Sequence, residues 1–186
     1  MKRSFLIFIA ASGAIALVAF FYVRGDKKVI QSSHDTSCIT GTEEKIVDGD
    51  SMHGVIESGA KVQMLRGYYK CNAVQRGDVV VFQYAEKVEP IIKIVKAIPG
   101  DRFSLQQEGA AWRVLVNDVV LTNSRREPHV VNDASAKLLS LYVHDYRGVV
   151  PKDTYLIFGN LVEGSFDSTR LGLVGKEGIL GKVVMP

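Results

Sequence analysis

The hydrophobic positions of this chain form one long block near its start and a series of short runs after it. The long block spans residues 4–23 and contains no charged side chain over 20 residues. A helix of that length rises about 30 Å, which matches the hydrocarbon core of a bilayer. The pattern predicts a single transmembrane helix, and we assign residues 1–30 to an N-terminal membrane anchor.

A cleaved secretory signal is the alternative interpretation of this block. The block is longer than the usual apolar core of a signal, and it ends in Phe20, Phe21 and Tyr22, where a cleavage site needs small residues. Aromatic residues at that point suit a membrane interface, so an uncleaved anchor is favoured. Basic residues flank the block on both sides, and the positive-inside rule gives nearly a tie for its orientation.

The short runs after the block are rich in Val, Ile and aromatic residues and have the length of β-strands. Asn117 and Asp118 stand between two of them and predict a tight hairpin turn. We expect a mainly β fold, an antiparallel β-sheet domain with few short helices. The predicted strands are 61–65, 78–84, 91–98, 112–116, 119–122, 155–158 and 180–185.

The rest of the chain contains one predicted helix and one linker. A helix is expected at 132–142, with Asp133 as its cap and three leucines on its inner side, Leu138, Leu139 and Leu141. Residues 31–45 are polar at first and rich in Ser and Thr, which indicates a linker and a strand leading into the domain. We assign residues 46–186 to the main domain.

The charge distribution separates the anchor from the domain. Residues 1–28 carry a net charge of +4, whereas residues 29–186 carry −1. The overall +3 therefore belongs to the flanks of the apolar block. A nucleic-acid-binding protein needs basic residues clustered on the domain itself, so we expect no nucleic-acid partner.

The cysteines and histidines of the sequence give little support to a metal site. None of them shows the paired spacing that zinc ligands have, and we expect neither a metal nor a cofactor. Cys38 and Cys71 are compatible with a disulfide formed outside the cytoplasm. Two unpaired buried thiols are the alternative.

Three segments carry residues with chemical potential. In the first, Ser51 lies in a loop between Gly49 and Gly54, and glycines allow a sharp turn that exposes the serine. In the second, Lys93 and Lys96 stand within a β-branched run, where burial would disfavour the ammonium and could give a neutral general base. A strand with one wet face and a lysine reaching to water is the alternative. The third segment, 159–170, is dense in hydroxyl groups that could hold a neutral amine.

Taken in this order, the segments resemble the bacterial type I signal peptidases, the membrane-anchored Ser/Lys endopeptidases. Five residues separate Lys93 from the Pro-Gly-Asp of 99–101, as they do the general base of that family, whereas only two separate Lys96 from it. The other matching segments are Val-Asp-Gly-Asp-Ser-Met at 47–52, Arg-Gly-Asp-Val-Val-Val-Phe at 76–82, and Ser-Phe-Asp-Ser at 165–168.

The resemblance implies a role for each of these residues. Ser51 is the nucleophile and its backbone N–H stabilises the oxyanion, while Lys93 is the general base. The implied supporting residues are Ser165, which orients the Lys93 amine, Asp167 and Arg170, and Met52, which lines the substrate pocket. The implied function is removal of signal peptides from exported preproteins through an acyl-enzyme. The enzyme would be a single-pass protein of the bacterial inner membrane, in contact with the lipid bilayer, with its catalytic domain on the extracytoplasmic side.

The sequence also departs from the family pattern. Gly54 replaces an expected proline, 159–161 reads Gly-Asn-Leu where Gly-Asp-Asn is usual, and Thr169 is inserted before Arg170. These departures put a local pairing of Asp167 with Arg170 in doubt and indicate a divergent branch. The pilin-maturing peptidases of conjugative transfer systems are the alternative placement, with pilin precursors as substrates.

Other interpretations remain open at this point. A Ser-His-Asp triad could use His53, His34 with Asp35, or His144 with Asp145. A self-cleaving repressor would use the same Ser/Lys chemistry but needs a DNA-binding module where this chain has its apolar block. A non-catalytic, membrane-tethered β domain that binds partners is the alternative from a different class.

Overall fold

The computed structural model describes residues 34–85 and 88–185. The predicted anchor lies outside these residues. Within them, none of the helices combines the length and the apolar character needed to span a membrane. The strands of the described residues are β1 Gly41–Ile46, β2 Lys61–Arg66, β3 Val79–Phe82, β4 Ile91–Ala97, β5 Phe103–Glu108, β6 Ala111–Val116, β7 Val119–Val120, β8 Val130–Val131, β9 Thr154–Phe158, β10 Val174–Gly175 and β11 Ile179–Val184.

These strands form two antiparallel sheets. The larger has seven strands in the order β1-β2-β11-β3-β4-β9-β10, and the smaller contains β5, β6 and β7, with β8 also paired to β6. All pairings between these strands are antiparallel. The prediction of a mainly β, antiparallel fold with few short helices is confirmed.

Strand β4 lies in the interior of the larger sheet, and its sequence explains why. It pairs with β3 on one side, where Val80 faces Lys93, and with β9 on the other. Five of its seven residues are Ile, Val or Ala, and its middle residues are buried. Such a run suits a strand that is covered on both faces. The fold therefore carries Lys93 into the interior.

The turn and helix predictions are confirmed in outline and corrected in detail. Asn117 and Asp118 have φ values of 51° and 64°, as a two-residue turn between β6 and β7 requires. Helix α1 spans Asp133–Asp145, and its N-cap is Asn132, whose side chain accepts a hydrogen bond from the Ser135 N–H. The prediction of Asp133 as the cap was wrong.

The inner face of α1 also differs from the prediction. Leu139 is fully buried, but Leu141 is 61% exposed, because a helix turns 100° per residue and places the two on different faces. Asp133 instead accepts a hydrogen bond from the Trp112 indole N–H at 2.8 Å, which ties the helix to β6. A second helix, α2, spans Ser168–Leu171.

Candidate active site

The loop between β1 and β2 presents Ser51 over the larger sheet. Gly49 and Gly54 have φ values of 81° and 84°, in the left-handed region that favours glycine. The carbonyl of Ser51 accepts a hydrogen bond from the Asn160 N–H at 2.6 Å, which ties the loop to the chain that follows β9. Met52 is buried and packs into the core beneath the loop. The position of Ser51 is thus fixed by the hydrogen bond from Asn160 and by the buried side chain of Met52.

Lys93 reaches Ser51 from the sheet below. Its Nζ lies 2.8 Å from Ser51 Oγ and 2.9 Å from the carbonyl oxygen of Ile92. The residue is only 3% exposed. An ammonium would need three hydrogen-bond acceptors at this depth, whereas a neutral amine donates two N–H groups and accepts through its lone pair. The two contacts found here fit the neutral amine.

Burial lowers the pKa of Lys93 to about 8, from an ordinary value of 10.5, although the nearby Asp167 carboxylate acts in the opposite direction. Removing an ammonium from water disfavours the charged form, so the direction follows from the position of the side chain. A pKa near 8 leaves about a tenth of the lysine neutral at pH 7, roughly 300-fold more than at the ordinary value. This lysine is therefore a competent base near neutral pH.

Lys96 belongs to the same strand but not to this site. Its Nζ donates a hydrogen bond to the Thr122 carbonyl oxygen at 2.9 Å. Burial also lowers the pKa of Lys96. Strand β4 has a register irregularity between Val95 and Ala97, so the contact with Thr122, and not strand alternation, locates the Lys96 amine. Only Lys93 meets Ser51.

Ser165 lies beside the pair without a hydrogen bond to it. The residue is 5% exposed, and its Oγ has no hydrogen-bond partner among the described residues. It lines the same cleft as Ser51 and Lys93. A Cβ atom at Gly159 would come within 2.5 Å of Ser165 Oγ and 2.6 Å of the Ser51 carbonyl oxygen. Gly159 therefore packs closely between Ser165 and Ser51, and no larger residue fits there without a shift.

Asp167 is buried and structures the segment after β9. Its carboxylate accepts hydrogen bonds from the N–H groups of Gly159 and Thr169, both at 2.9 Å, and it caps the N-terminus of α2. Arg170 is exposed. No ion pair joins Asp167 to Arg170 within 34–85 and 88–185. The carboxylate is held by backbone donors, so it organises the loop that carries Ser165.

Asn160 is a site residue that sequence reasoning missed. It is 3% exposed, and its side chain donates to the His53 carbonyl oxygen at 2.7 Å and to Ser124 Oγ at 2.8 Å. It also accepts from the Ser124 N–H at 2.9 Å. The departure from the family pattern at this position was visible in the sequence, but its partners lie 36 and 107 residues away. Only the fold reveals them.

The cleft around Ser51 has a volume of about 620 Å³. Met52, Ile46 and Phe166 contribute apolar surface to it, and Lys93 and Ser165 lie at its floor. Of these, Met52 is 1% exposed and Ile46 is 67% exposed. The cleft is large enough for several residues of an extended peptide next to the serine.

The three histidines of the triad interpretation contact other groups. His53 Nδ1 lies 2.6 Å from a Glu57 carboxylate oxygen, and His34 Nδ1 lies 2.5 Å from the Tyr68 hydroxyl. His144 contacts its neighbour Asp145 at the surface. The hydrogen-bond partner of Ser51 Oγ is Lys93 Nζ, and none of these three rings contacts it. The triad interpretation has no geometric support among the described residues.

Two further observations concern cysteine and metal chemistry. Cys38 and Cys71 form a disulfide with a Cα–Cα distance of 5.8 Å, which ties the segment before β1 to the turn after β2. In the part of the chain that the structure describes, no cluster of three or more His, Cys, Asp or Glu side chains could hold a metal ion. The chemistry available at the cleft is that of the Ser51 hydroxyl and the Lys93 amine.

Comparison with known proteins assigns the chain to a family. The sequence model described as "Signal peptidase, peptidase S26" matches residues 3–186. The chain belongs to that family. It is accordingly a serine endopeptidase, a hydrolase, and signal peptidases of this family act on exported preproteins and are generally membrane-associated in bacteria.

Individual relatives are distant but cover most of the chain. It is 27% identical over 150 residues to "Signal peptidase IB" of Staphylococcus aureus strain COL, covering 74% of this chain and 73% of the relative. It is 27% identical over 147 residues to "Signal peptidase I" of Bacillus caldolyticus, covering 74% and 75%. The crystal structure of a signal peptidase I from Enterococcus faecalis V583 shares 18% identity at a TM-score of 0.42, covering 61% of this chain and 98% of that one.

Proposed function

We propose that this chain is a membrane-anchored signal peptidase in which Ser51 is the nucleophile and Lys93 the general base. The observation that carries the proposal is the 2.8 Å contact between Lys93 Nζ and Ser51 Oγ at the floor of the cleft. A nucleophile and a base within hydrogen-bond reach, with the base desolvated, are what covalent catalysis by serine requires. The family to which the chain belongs supplies the substrate class, exported preproteins.

The proposed reaction proceeds in two halves. Ser51 Oγ attacks the carbonyl carbon of the scissile bond while its proton passes to the neutral Lys93 amine. The resulting ammonium then protonates the leaving nitrogen as the C–N bond breaks, and an ester of Ser51 remains. A water molecule gives one proton to Lys93 and attacks this ester. Lys93 returns that proton to Ser51 Oγ as the C–O bond breaks, and the released acid loses its remaining proton to solvent. Each half begins and ends with a neutral lysine.

The oxyanion would be held by the backbone N–H of Ser51. Among the described residues this N–H donates to no acceptor, so it is free to face a developing negative charge. The residue two positions earlier, Gly49, has no hydroxyl that could act as a second donor. Backbone donors of this kind typically contribute about 3–4 kcal/mol to transition-state stabilisation.

Ser165 and Met52 have positioning and binding roles in this proposal. A neutral Lys93 has one N–H left after its contact with Ile92, and Ser165 Oγ is an unpartnered acceptor at the floor of the same cleft. Met52 closes the bottom of the cleft beside the serine and would favour small side chains next to the cut. Asp167 acts indirectly, through the Gly159 and Thr169 amides.

The location of the enzyme is part of the proposal. Residues 1–30 would cross the bacterial inner membrane once and leave the domain on the extracytoplasmic side, where signal peptides emerge. The disulfide between Cys38 and Cys71 supports that side, because disulfides persist outside the reducing cytoplasm. An anchored peptidase would then meet its substrates at the bilayer surface.

The test uses the 186-residue chain in detergent with a model preprotein. Ser51→Ala and Lys93→Met should each lower cleavage by at least about 10³-fold, the typical cost of removing a member of such a pair. Lys96→Met is the matched control, since it removes a lysine from the same strand without touching Ser51, and it should retain activity. Wild-type rates in either Ser51→Ala or Lys93→Met would refute the assignment.

The pH profile gives an independent test. Protonation of Lys93 removes the base, so kcat/KM should fall about tenfold per pH unit below about 8. Activity at pH 5 equal to that at pH 8 would contradict a lysine base. Wild-type protein that cleaves neither a preprotein nor a pilin precursor would instead support the partner-binding β domain.

A further inference from the structure

The cleft beside the proposed catalytic pair contains a single aromatic residue, Phe166, among the described residues that line it. The other apolar lining residues differ from it in exposure or size. Ile46 is 67% exposed, and Met52 is 1% exposed, so its side chain is almost covered. Phe166 is half-buried. Among these lining residues it is therefore the bulkiest apolar group that keeps part of its surface accessible.

The backbone of Phe166 is held by its two neighbours in the chain. Ser165 and Asp167 are 5% and 2% exposed. The Asp167 carboxylate also accepts a hydrogen bond from the Gly159 N–H at 2.9 Å, which ties this segment to the end of β9. With both neighbours buried, the phenyl ring can move away from the cleft only by rotation about its own side-chain bonds.

Tyr84 restricts that rotation from the opposite side. The centroids of the two rings lie 4.9 Å apart and their planes are tilted by 51°, which is within the range of favourable aromatic pairs. Tyr84 belongs to the connection from β3 to β4, and the preceding Gln83 donates its backbone N–H to the Gly178 carbonyl oxygen at 2.8 Å. The end of the same connection lines the cleft at residues 89–93. The aromatic pair therefore joins two walls of the cleft.

We propose that Phe166, braced by Tyr84, limits the size of the substrate side chain that fits beside the catalytic pair. The inference rests on the proposed function, because it names a specificity-determining residue of the same cleft. Ser165, which precedes Phe166, lies with Lys93 at the floor of the cleft, so the ring borders the space next to the scissile bond. A small side chain leaves the ring in place, whereas a larger one has to displace it from Tyr84.

The expected discrimination follows from the packing of apolar side chains. One methylene more or less in an apolar pocket typically changes kcat/KM by about 10- to 200-fold. A substrate with Leu in place of Ala at the position that faces the ring should therefore be cleaved at least about tenfold less efficiently by the wild type. Phe166→Ala removes the ring and should recover most of that loss.

The test uses the full chain in detergent and a set of model preproteins. These carry either Ala or Leu at each of the three positions before the cut and the two positions after it. The quantity measured is the Ala-to-Leu ratio of kcat/KM, and Phe166→Ala should lower it by about tenfold at one position. Both substrates are measured on one preparation, so the fraction of folded enzyme cancels. Phe166→Leu covers the case in which the alanine variant does not fold, and it should lower the ratio by about threefold.

Variants of Tyr84 test the brace. Tyr84→Ala should lower the ratio at the same position as Phe166→Ala but less, by about threefold, whereas Tyr84→Phe keeps the ring and should restore the wild-type ratio. The double variant should have the ratio of Phe166→Ala alone, because both changes act through one ring. Tyr146→Ala is the matched control, since it removes a 46% exposed ring that stacks on Tyr142 and does not line the cleft.

Three outcomes would overturn the proposal. They are a wild type that cleaves the Ala and Leu substrates equally well, an unchanged ratio at all positions in a Phe166→Ala enzyme that still cleaves, and an equal change in Tyr146→Ala. Failure of the proposed function is distinguishable from all three, because it would show as activity remaining in Ser51→Ala on the same substrates.

Discussion

Replacing Lys93 with Met should stabilise the protein while it abolishes catalysis. Folding lowers the pKa of this lysine from 10.5 to about 8, because the folded state disfavours the ammonium. Between these two pH values the unfolded chain binds more protons than the folded one, so the stability of the wild type rises with pH there. The cost of burying the ammonium is fully present below pH 8 and corresponds to about 3 kcal/mol. Met has similar length and no charge to desolvate.

The assay is urea unfolding of the two proteins in nonionic detergent from pH 7 to pH 10.5. The gain in unfolding free energy of Lys93→Met over wild type should be about 3 kcal/mol larger at pH 7 than at pH 10.5. Titration of the other side chains cancels in this difference. Lys152→Met is the control, because the Lys152 side chain is 92% exposed and its replacement removes no buried charge. A flat difference for Lys93→Met would refute the desolvated base.

Three further changes probe the surroundings of the pair. Asn160→Ala should lower the unfolding free energy by about 2–3 kcal/mol and reduce kcat, since it leaves the His53 carbonyl in the Ser51 loop without a partner. An unchanged kcat would show that Asn160 does not hold the Ser51 loop in place. Gly159→Ala should reduce both kcat and the melting temperature, because its Cβ would lie 2.6 Å from the Ser51 carbonyl oxygen. Cys71→Ser should lower the unfolding free energy by about 3.7 kcal/mol, from the entropy of a loop with sequence separation 33, and urea unfolding of wild type with and without reductant should show the same difference.

The sequence predicts five strands to within one residue at either end, whether the strand is half-buried, as β2 is, or almost wholly buried, as β9 is. The runs at 91–98 and 155–158 became β4 and β9 almost to the residue, because only a covered strand needs so many consecutive Val, Ile and aromatic side chains. Strand β5, Phe103–Glu108, was not predicted. Its second half, Gln106–Glu108, is exposed and polar, so it forms through pairing with β6 rather than through its own pattern.

The proposed catalytic pair was predictable as a motif but not as a contact. Lys93 and Lys96 are equally plausible from composition, and spacing within the family pattern distinguished them before the geometry did. Asn160 carried no comparable signal. Its significance comes from hydrogen-bond partners far along the chain, and these leave no local pattern in the sequence.

Strand β11 has a consequence for when the enzyme becomes active. It lies between β2 and β3, so the larger sheet stays divided until residues 179–184 are available. The Ser51 loop belongs to the β1–β2 part and Lys93 to the β3–β4 part. In the extracytoplasmic location proposed above, a chain exported from its N-terminus would deliver both parts well before the strand that joins them, and such non-local pairing is slow to form. During its own passage through the translocation machinery, the nascent protease would therefore be held inactive beside the signal peptides it later cuts.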